Sequence, residues 1–287
     1  MADVDSRYMA ARRVLLDALF ALSPHGKAVI LVGAQAVYLR TGDANFAIAP
    51  YTTDGDLVIN PSLLGDEPLL SQAMLDANFT LMRRSQGHEE PGIWVEPADV
   101  DGAIELIPVD LIVPHAVTPP RGRRGARLGT HGNSAARSAI GLEAALIDHS
   151  PMVVSALDPD DARSIRVEVA GTSALLVAKA HKIRDRVASG RKDRVDDKDS
   201  FDVVRIMQTT DPGEIGGTLS GLMIDPMAGD VTRTAIDYLT QIFGRRGQPG
   251  IEMAARAMQL VMDHDTVEVI CTSYVAALTR TLPPLKP

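Results

Sequence analysis

Thr52-Thr53-Asp54-Gly55-Asp56-Leu57-Val58-Ile59 sets two carboxylates, one residue apart, at the head of an apolar run. The run reads as a buried β-strand. Strand side chains alternate between faces, so Asp54 and Asp56 share one. Neither has a Lys or Arg beside it in the sequence. Adjacent carboxylates repel unless a cation lies between them. Such oxygen donors suit Mg²⁺, which takes one or two carboxylates and fills its shell with phosphate oxygens and water. Two readings fit the pair alone: aspartates of a turn and strand start, or a cation site for phosphate chemistry.

The flanks favour the second reading. Residues 28–32 form an apolar run that reads as a strand, Gly33 follows, and 34–40 read as a helix. Gly33 lets a phosphate approach the backbone, and a helix N-terminus offers unpaired N–H groups and a positive dipole end. Further on, 103–113 reads as a long strand with Asp110 inside its apolar part. A charge there is costly unless it binds a metal or finds a partner. Glu105, five residues earlier, falls on the opposite face. Asp110 is therefore the third ligand or base, or else an aspartate bonding a loop at the strand's end.

Working outward, 6–22 reads as an amphipathic helix, 67–78 as a helix, and 79–83 and 93–95 as strands. The span 114–137, rich in Gly, Pro and Arg, reads as loop, and 152–157 and 165–169 as strands. From residue 172 the pattern is helical: 174–188 capped by Thr172 or Ser173, then 199–207, 212–223, 231–243, 250–264 and 266–282. The expected class is α+β, with a small mixed sheet and helices over 1–170 and a mainly helical domain over 171–287.

The 287 residues allow a real core. A net charge of −8 excludes a general nucleic-acid-binding surface; a polyanion would need a local basic patch. The single cysteine, Cys271, lies in an apolar run and reads as core, which excludes a disulfide framework. No apolar run is long enough to span a membrane and the first residues lack a signal-peptide core, so the expectation is a cytoplasmic protein with no membrane partner. The seven histidines show no metal-ligand spacing, His181 reads as helix surface and Trp94 as core.

The helical half carries a second set of charges. Lys179 and Arg186 are seven apart and share a helix face; Asp199 and Asp202 are three apart and share another. As residues they fit a solvated pair of salt-bridged helices or a phosphate-binding cluster. Taken together, strand–Gly33–helix, Asp54-x-Asp56 and the later Asp110 resemble the nucleotidyltransferase superfamily that includes polymerase β. The set Thr52-x-Asp54-x-Asp56, Lys179-x₆-Arg186 and Lys198-Asp199-x-x-Asp202 is similar to the AbiEii toxin family with its MenT members. The resemblance covers roughly residues 28–207.

It implies Mg²⁺ held by Asp54, Asp56 and Asp110, a nucleoside triphosphate as substrate, and attack on its α-phosphate with loss of pyrophosphate. It implies catalytic roles for those three aspartates with Lys179 and Asp199, and nucleotide contacts from Gly33, Ala34, Thr52, Thr53, Lys182, Arg186 and Asp202. Ala34 can offer only its backbone N–H. The expected acceptor is RNA, at a tRNA 3′ end, and the expected partner a cognate antitoxin. Arg121, Arg123, Arg124 and Arg127 form the densest basic stretch and suit phosphate-backbone contact or a solvated loop. The alternatives are nucleotidylation of a protein or small molecule such as an antibiotic, and an inactive nucleotide- or RNA-binding module.

Overall fold

Val29–Val32 is all apolar and all buried, as a strand covered on both faces must be. In the computed structural model, which describes residues 5–42, 52–84, 87–118, 125–189 and 197–283, this strand (β1) sits within a mixed sheet. It pairs antiparallel with β2 (Gly55–Ile59) and parallel with β8 (Ser164–Ala170). On its other side β2 pairs parallel with β5 (Ala103–Pro114). The described sheet runs β3-β4-β5-β2-β1-β8-β7, with β3 at Thr80–Arg83, β4 at Glu89–Val100 and β7 at His149–Ser155. A short β6 (Arg137–Ala139) pairs parallel with the end of β5. The class is α+β with a helical C-terminal region, as expected.

The described residues divide into two units. The first takes those up to 39, those within 52–139, and 149–170; the second takes 40–42, 140–148 and everything from 171. Helices α1 (Ser6–Ala21), α2 (Gly33–Thr41) and α3 (Leu70–Asp76) precede the helical C-terminal region, and in the first unit α1 packs on β4 and β5. It is not the one-sided helix expected, because Tyr8, Ala10, Arg12, Val14, Leu15, Ala18 and Leu19 are buried around much of its girth. Its first residues pin the β4–β5 hairpin: Ser6 Oγ donates to Asp101 (2.7 Å), and Arg7 pairs with Glu105 (2.8 Å). The hairpin closes on Asp101 and Gly102 at φ 53° and 84°, the positive values that a two-residue primed turn requires.

Two strands differ from expectation. β4 is 12 residues long, not the three of 93–95, because Pro91, Gly92 and Pro97 hide its alternation. β6 falls at the edge of the span read as loop; Arg-Ser-Ala is too short and polar to announce a strand. Trp94 is core, as expected, and its indole N–H donates to the Ala135 carbonyl (2.9 Å).

The second unit contains α4 (Thr172–Ser189), α5 (Lys198–Thr209), α6 (Pro212–Ile224), α7 (Gly229–Phe243), α8 (Pro249–Met258) and α9 (His264–Thr281). Helix α5 lies at its centre, with every residue from Asp199 to Met207 buried. Helix α8 stops at Met258, short of the expected 264. Neither Thr172 nor Ser173 caps α4, since both lie inside it. The carboxylate of Asp148 takes that role, accepting from the Ala174 N–H (2.9 Å) and filling the space over Gly171. Cys271 is fully buried, and burial pushes its thiol up to about 12, the state of an inert core residue. Among the described residues no helix is long and apolar enough to cross a membrane.

Candidate functional site

Strand pairing decides which of the three aspartates meet. In the parallel β2–β5 ladder Asp56 is the register partner of Asp110. Register partners on adjacent strands lie about 5 Å apart and project from the same face. Asp54 immediately precedes β2, one glycine before Asp56.

Each carboxylate is held by a different device. Asp54 Oδ1 accepts from the Thr52 hydroxyl (2.6 Å), with Thr52 fully buried beneath it. Asp56 rests against Gly33, the first residue of α2 (Gly33–Thr41). Gly33 has φ +71°, and a Cβ there would fall 2.1 Å from Asp56 Oδ2. The space over Gly33, where a phosphate was expected, is therefore filled by a carboxylate of the same site. Asp110 Oδ2 accepts from both Nε (3.1 Å) and Nη2 (2.5 Å) of Arg137. Its Oδ1 has no protein partner among the described residues.

Behind the acids runs a chain of buried hydrogen bonds that sequence reasoning missed. Arg12 on α1 donates to Gln35 Oε1 (2.6 Å), the Ser155 carbonyl (2.9 Å) and the Tyr8 hydroxyl (3.0 Å). Gln35 on α2 donates in turn to the backbone carbonyls of Asp54 (3.0 Å) and Ala11 (3.3 Å). Burial lowers the Arg12 guanidinium from its usual value, opposed by Tyr8. Gln35 thus ties the backbone entering β2 to α1. The one available signal was a Gln next to the Gly33 turn in an otherwise apolar stretch. Arg137 was legible only as one arginine in a loop.

The expected cation cluster lies in the helical unit, where α4 and α5 pack together. Lys179 is 4% exposed. Its Nζ donates to Asp199 Oδ1 (2.7 Å) and Asp202 Oδ2 (2.5 Å). Burial alone would lower the Lys179 ammonium, but the two carboxylates more than reverse this and raise it. Burial acts to raise Asp199, yet Lys179, Lys182 and Arg186 together hold it below the usual carboxylate range. Asp202, with no exposure at all, is raised because its burial outweighs Lys179. A lysine reaching out to a triphosphate was expected, whereas this one is enclosed by two carboxylates. Lys182, 45% exposed, and Arg186, 20% exposed, present the open side of the cluster, and both pair with Asp199.

Arg121, Arg123 and Arg124 lie outside the described residues; Arg127 is described and exposed. His181 is half-buried rather than on the surface: its Nε2 donates to the Val231 carbonyl (2.9 Å) and its ring packs edge-on against Tyr238. Thr53 directly precedes Asp54, and Ala34 follows Gly33 in α2 and is buried; both lie in the first unit.

The donor set fits a hard cation. Among the described residues no group of three or more His, Cys, Asp or Glu is placed to hold a metal ion, so Asp54, Asp56 and Asp110 are not gathered as the three-ligand set that the resemblance implies. One or two carboxylates completed by phosphate oxygens and water is how Mg²⁺ is usually held. Gly33→Ala tests the geometry. An alanine at φ +71° costs about 1–2 kcal/mol, and its methyl takes the position of the Asp56 carboxylate. Divalent-cation binding should weaken at least about tenfold, as for a metal ligand moved from its place. Titration with Mn²⁺ measures it, and unchanged affinity would place the cation elsewhere. No family model matches this chain, and no curated protein matches it.

Proposed function

We propose that this protein is a Mg²⁺-dependent nucleotidyltransferase that moves a nucleotide from a nucleoside triphosphate to an RNA acceptor. The observation that carries the reading is the pairing of Asp56 with Asp110 across two parallel strands, with Asp54 just before. In the reaction the acceptor's hydroxyl oxygen attacks the α-phosphorus, the bond to the bridging oxygen breaks, and pyrophosphate leaves. Bound Mg²⁺ would lie on Asp54 and Asp56 and supply charge stabilisation to the phosphates. Asp110, with Oδ1 open, is suited to receive the hydroxyl proton. Thr52 and Gln35 fix the segment that bears Asp54.

In the helical unit Asp199 gathers Lys179, Lys182 and Arg186. The same resemblance assigns that group to the nucleotide, with Asp202 securing Lys179. It also supports a tRNA 3′ end as acceptor and a cognate antitoxin as partner.

The test is incubation of each labelled nucleoside triphosphate with total RNA, total protein and Mg²⁺. The expected result is label in RNA from wild type and none from Asp54→Ala. Label in protein would keep the chemistry and change the acceptor. Absence of label from every nucleotide, with Asp54→Ala identical to wild type, would leave a binding module rather than an enzyme.

A further inference from the structure

We infer that Arg137 is a resident counter-ion of Asp110 in the acid site and that its fixed charge opposes an incoming divalent cation. The inference rests on the reading of Asp54, Asp56 and Asp110 as a cation site. Without a cation, Asp56 and Asp110 are like charges directly opposite on neighbouring strands, an unfavourable arrangement. Arg137 relieves it on one side by directing two N–H groups at a single oxygen, Asp110 Oδ2.

The guanidinium is held there by backbone, not by chance on a surface. Arg137 is in register with Ile112 of β5, two residues beyond Asp110, so both side chains leave the same face. Gly125 bridges to Arg137 from the other side, and the Ala126 N–H donates to the Ala136 carbonyl (2.9 Å). Gly92, at φ +74°, leaves room for this: a Cβ on it would lie 2.3 Å from the Arg137 nitrogen. The pair is largely buried, at 25% and 18% side-chain exposure, so water screens it less than a surface pair.

Arg137 therefore does in the cation-free protein part of what a divalent ion does in the loaded one. It leaves Asp110 Oδ1 open, so a cation can enter without breaking the ion pair, but always against one fixed positive charge. Removing that charge while keeping the side chain's bulk or its hydrogen bond strengthens cation binding.

The experiment is Mn²⁺ titration, followed by the loss of its free spin-resonance signal, on wild type, Arg137→Met, Arg137→Gln, Arg137→Lys and Asp56→Asn. Thermal midpoints are recorded with and without Mn²⁺. Both neutral variants should bind Mn²⁺ at least about three- to tenfold more tightly, the scale of one unit charge acting through water, which sets the lower bound. Arg137→Lys should stay within about twofold of wild type, because it keeps the charge. The neutral variants should also have a lower midpoint without Mn²⁺ and a larger rise on adding it than wild type. Arg137→Gln keeps a donor for Asp110 Oδ2 and so remains informative where Arg137→Met fails to fold. Equal or weaker Mn²⁺ binding by folded neutral variants would overturn the inference while leaving the cation site intact. Wild type that binds no Mn²⁺, like Asp56→Asn, would sink the cation site itself and the inference with it.

Discussion

On the proposed nucleotidyltransferase reading, Asp56→Asn should lower transfer of label about a thousandfold or more, the scale seen when a central catalytic group is removed. The fold stays intact. Asparagine matches aspartate in shape, so it still fits over Gly33, where the Asp56 carboxylate makes close contact. It also removes one of two like charges that share a register position, so the variant should keep a single cooperative unfolding transition. Loss of label transfer together with that transition separates a lost chemical role from lost folding. A variant that keeps more than a tenth of wild-type transfer would show that Asp56 is mainly a structural contact for Gly33.

Lys179→Met has the largest expected effect on stability. Methionine fills much the same volume but leaves two buried carboxylates without the cation between them. Breaking a buried pair from one side costs about 3–5 kcal/mol. For a unit of this size that is a fall of roughly 10 °C or more in the thermal midpoint. The carboxylates differ in what they keep. Asp199 still has Lys182 and Arg186. Asp202 loses the cation that both pairs and hydrogen-bonds it, and its Oδ1 already lacks a hydrogen-bond partner.

The pH dependence follows from these directions. Asp199 is held below the usual range, so its share of wild-type stability is present above about pH 4 and is lost as pH falls through its folded value. Asp202 is raised by burial, so its stabilising share is present in acid and lost as pH rises through its folded value. Without Lys179 that rise is larger, and the variant recovers part of its deficit between pH 7 and pH 5. Lys179→Met combined with Asp202→Asn should recover a similar part at pH 7. Thermal melts of the two variants at both pH values decide it. A pH-independent deficit would mean that lost packing, not lost charge, is responsible.

Sequence reasoning reached most of the elements because their signals are local. The run of 29–32, the carboxylates before Leu57 and the periodic helices after 172 each declare themselves within a dozen residues. The pairing of Asp56 with Asp110 depends on a parallel register between segments more than fifty residues apart, which no local pattern encodes. The Arg12–Gln35–Asp54 relay was hidden for a related reason. A buried arginine satisfied by an amide, a carbonyl and a hydroxyl has no charge partner nearby in sequence to mark it. Lys179, Asp199 and Asp202 were found as a group, but their spacing could not show that the lysine is enclosed.

The Asp148 carboxylate over the start of α4 bears on how this gene can be divided. By composition the chain breaks near residue 170, the obvious point for a truncation or a fusion. A polypeptide starting at 171 would lack Asp148 and expose the first turn of α4, a loss of about 1 kcal/mol or more at an N-cap. One starting at 140 would keep Asp148 but carry 149–170, a strand pair that belongs to the first unit and joins its sheet where β8 pairs with β1. The two units are interleaved in sequence, so neither can be exchanged between relatives as a single block. Recombination that respects the fold must move the strand pair and the capping segment separately.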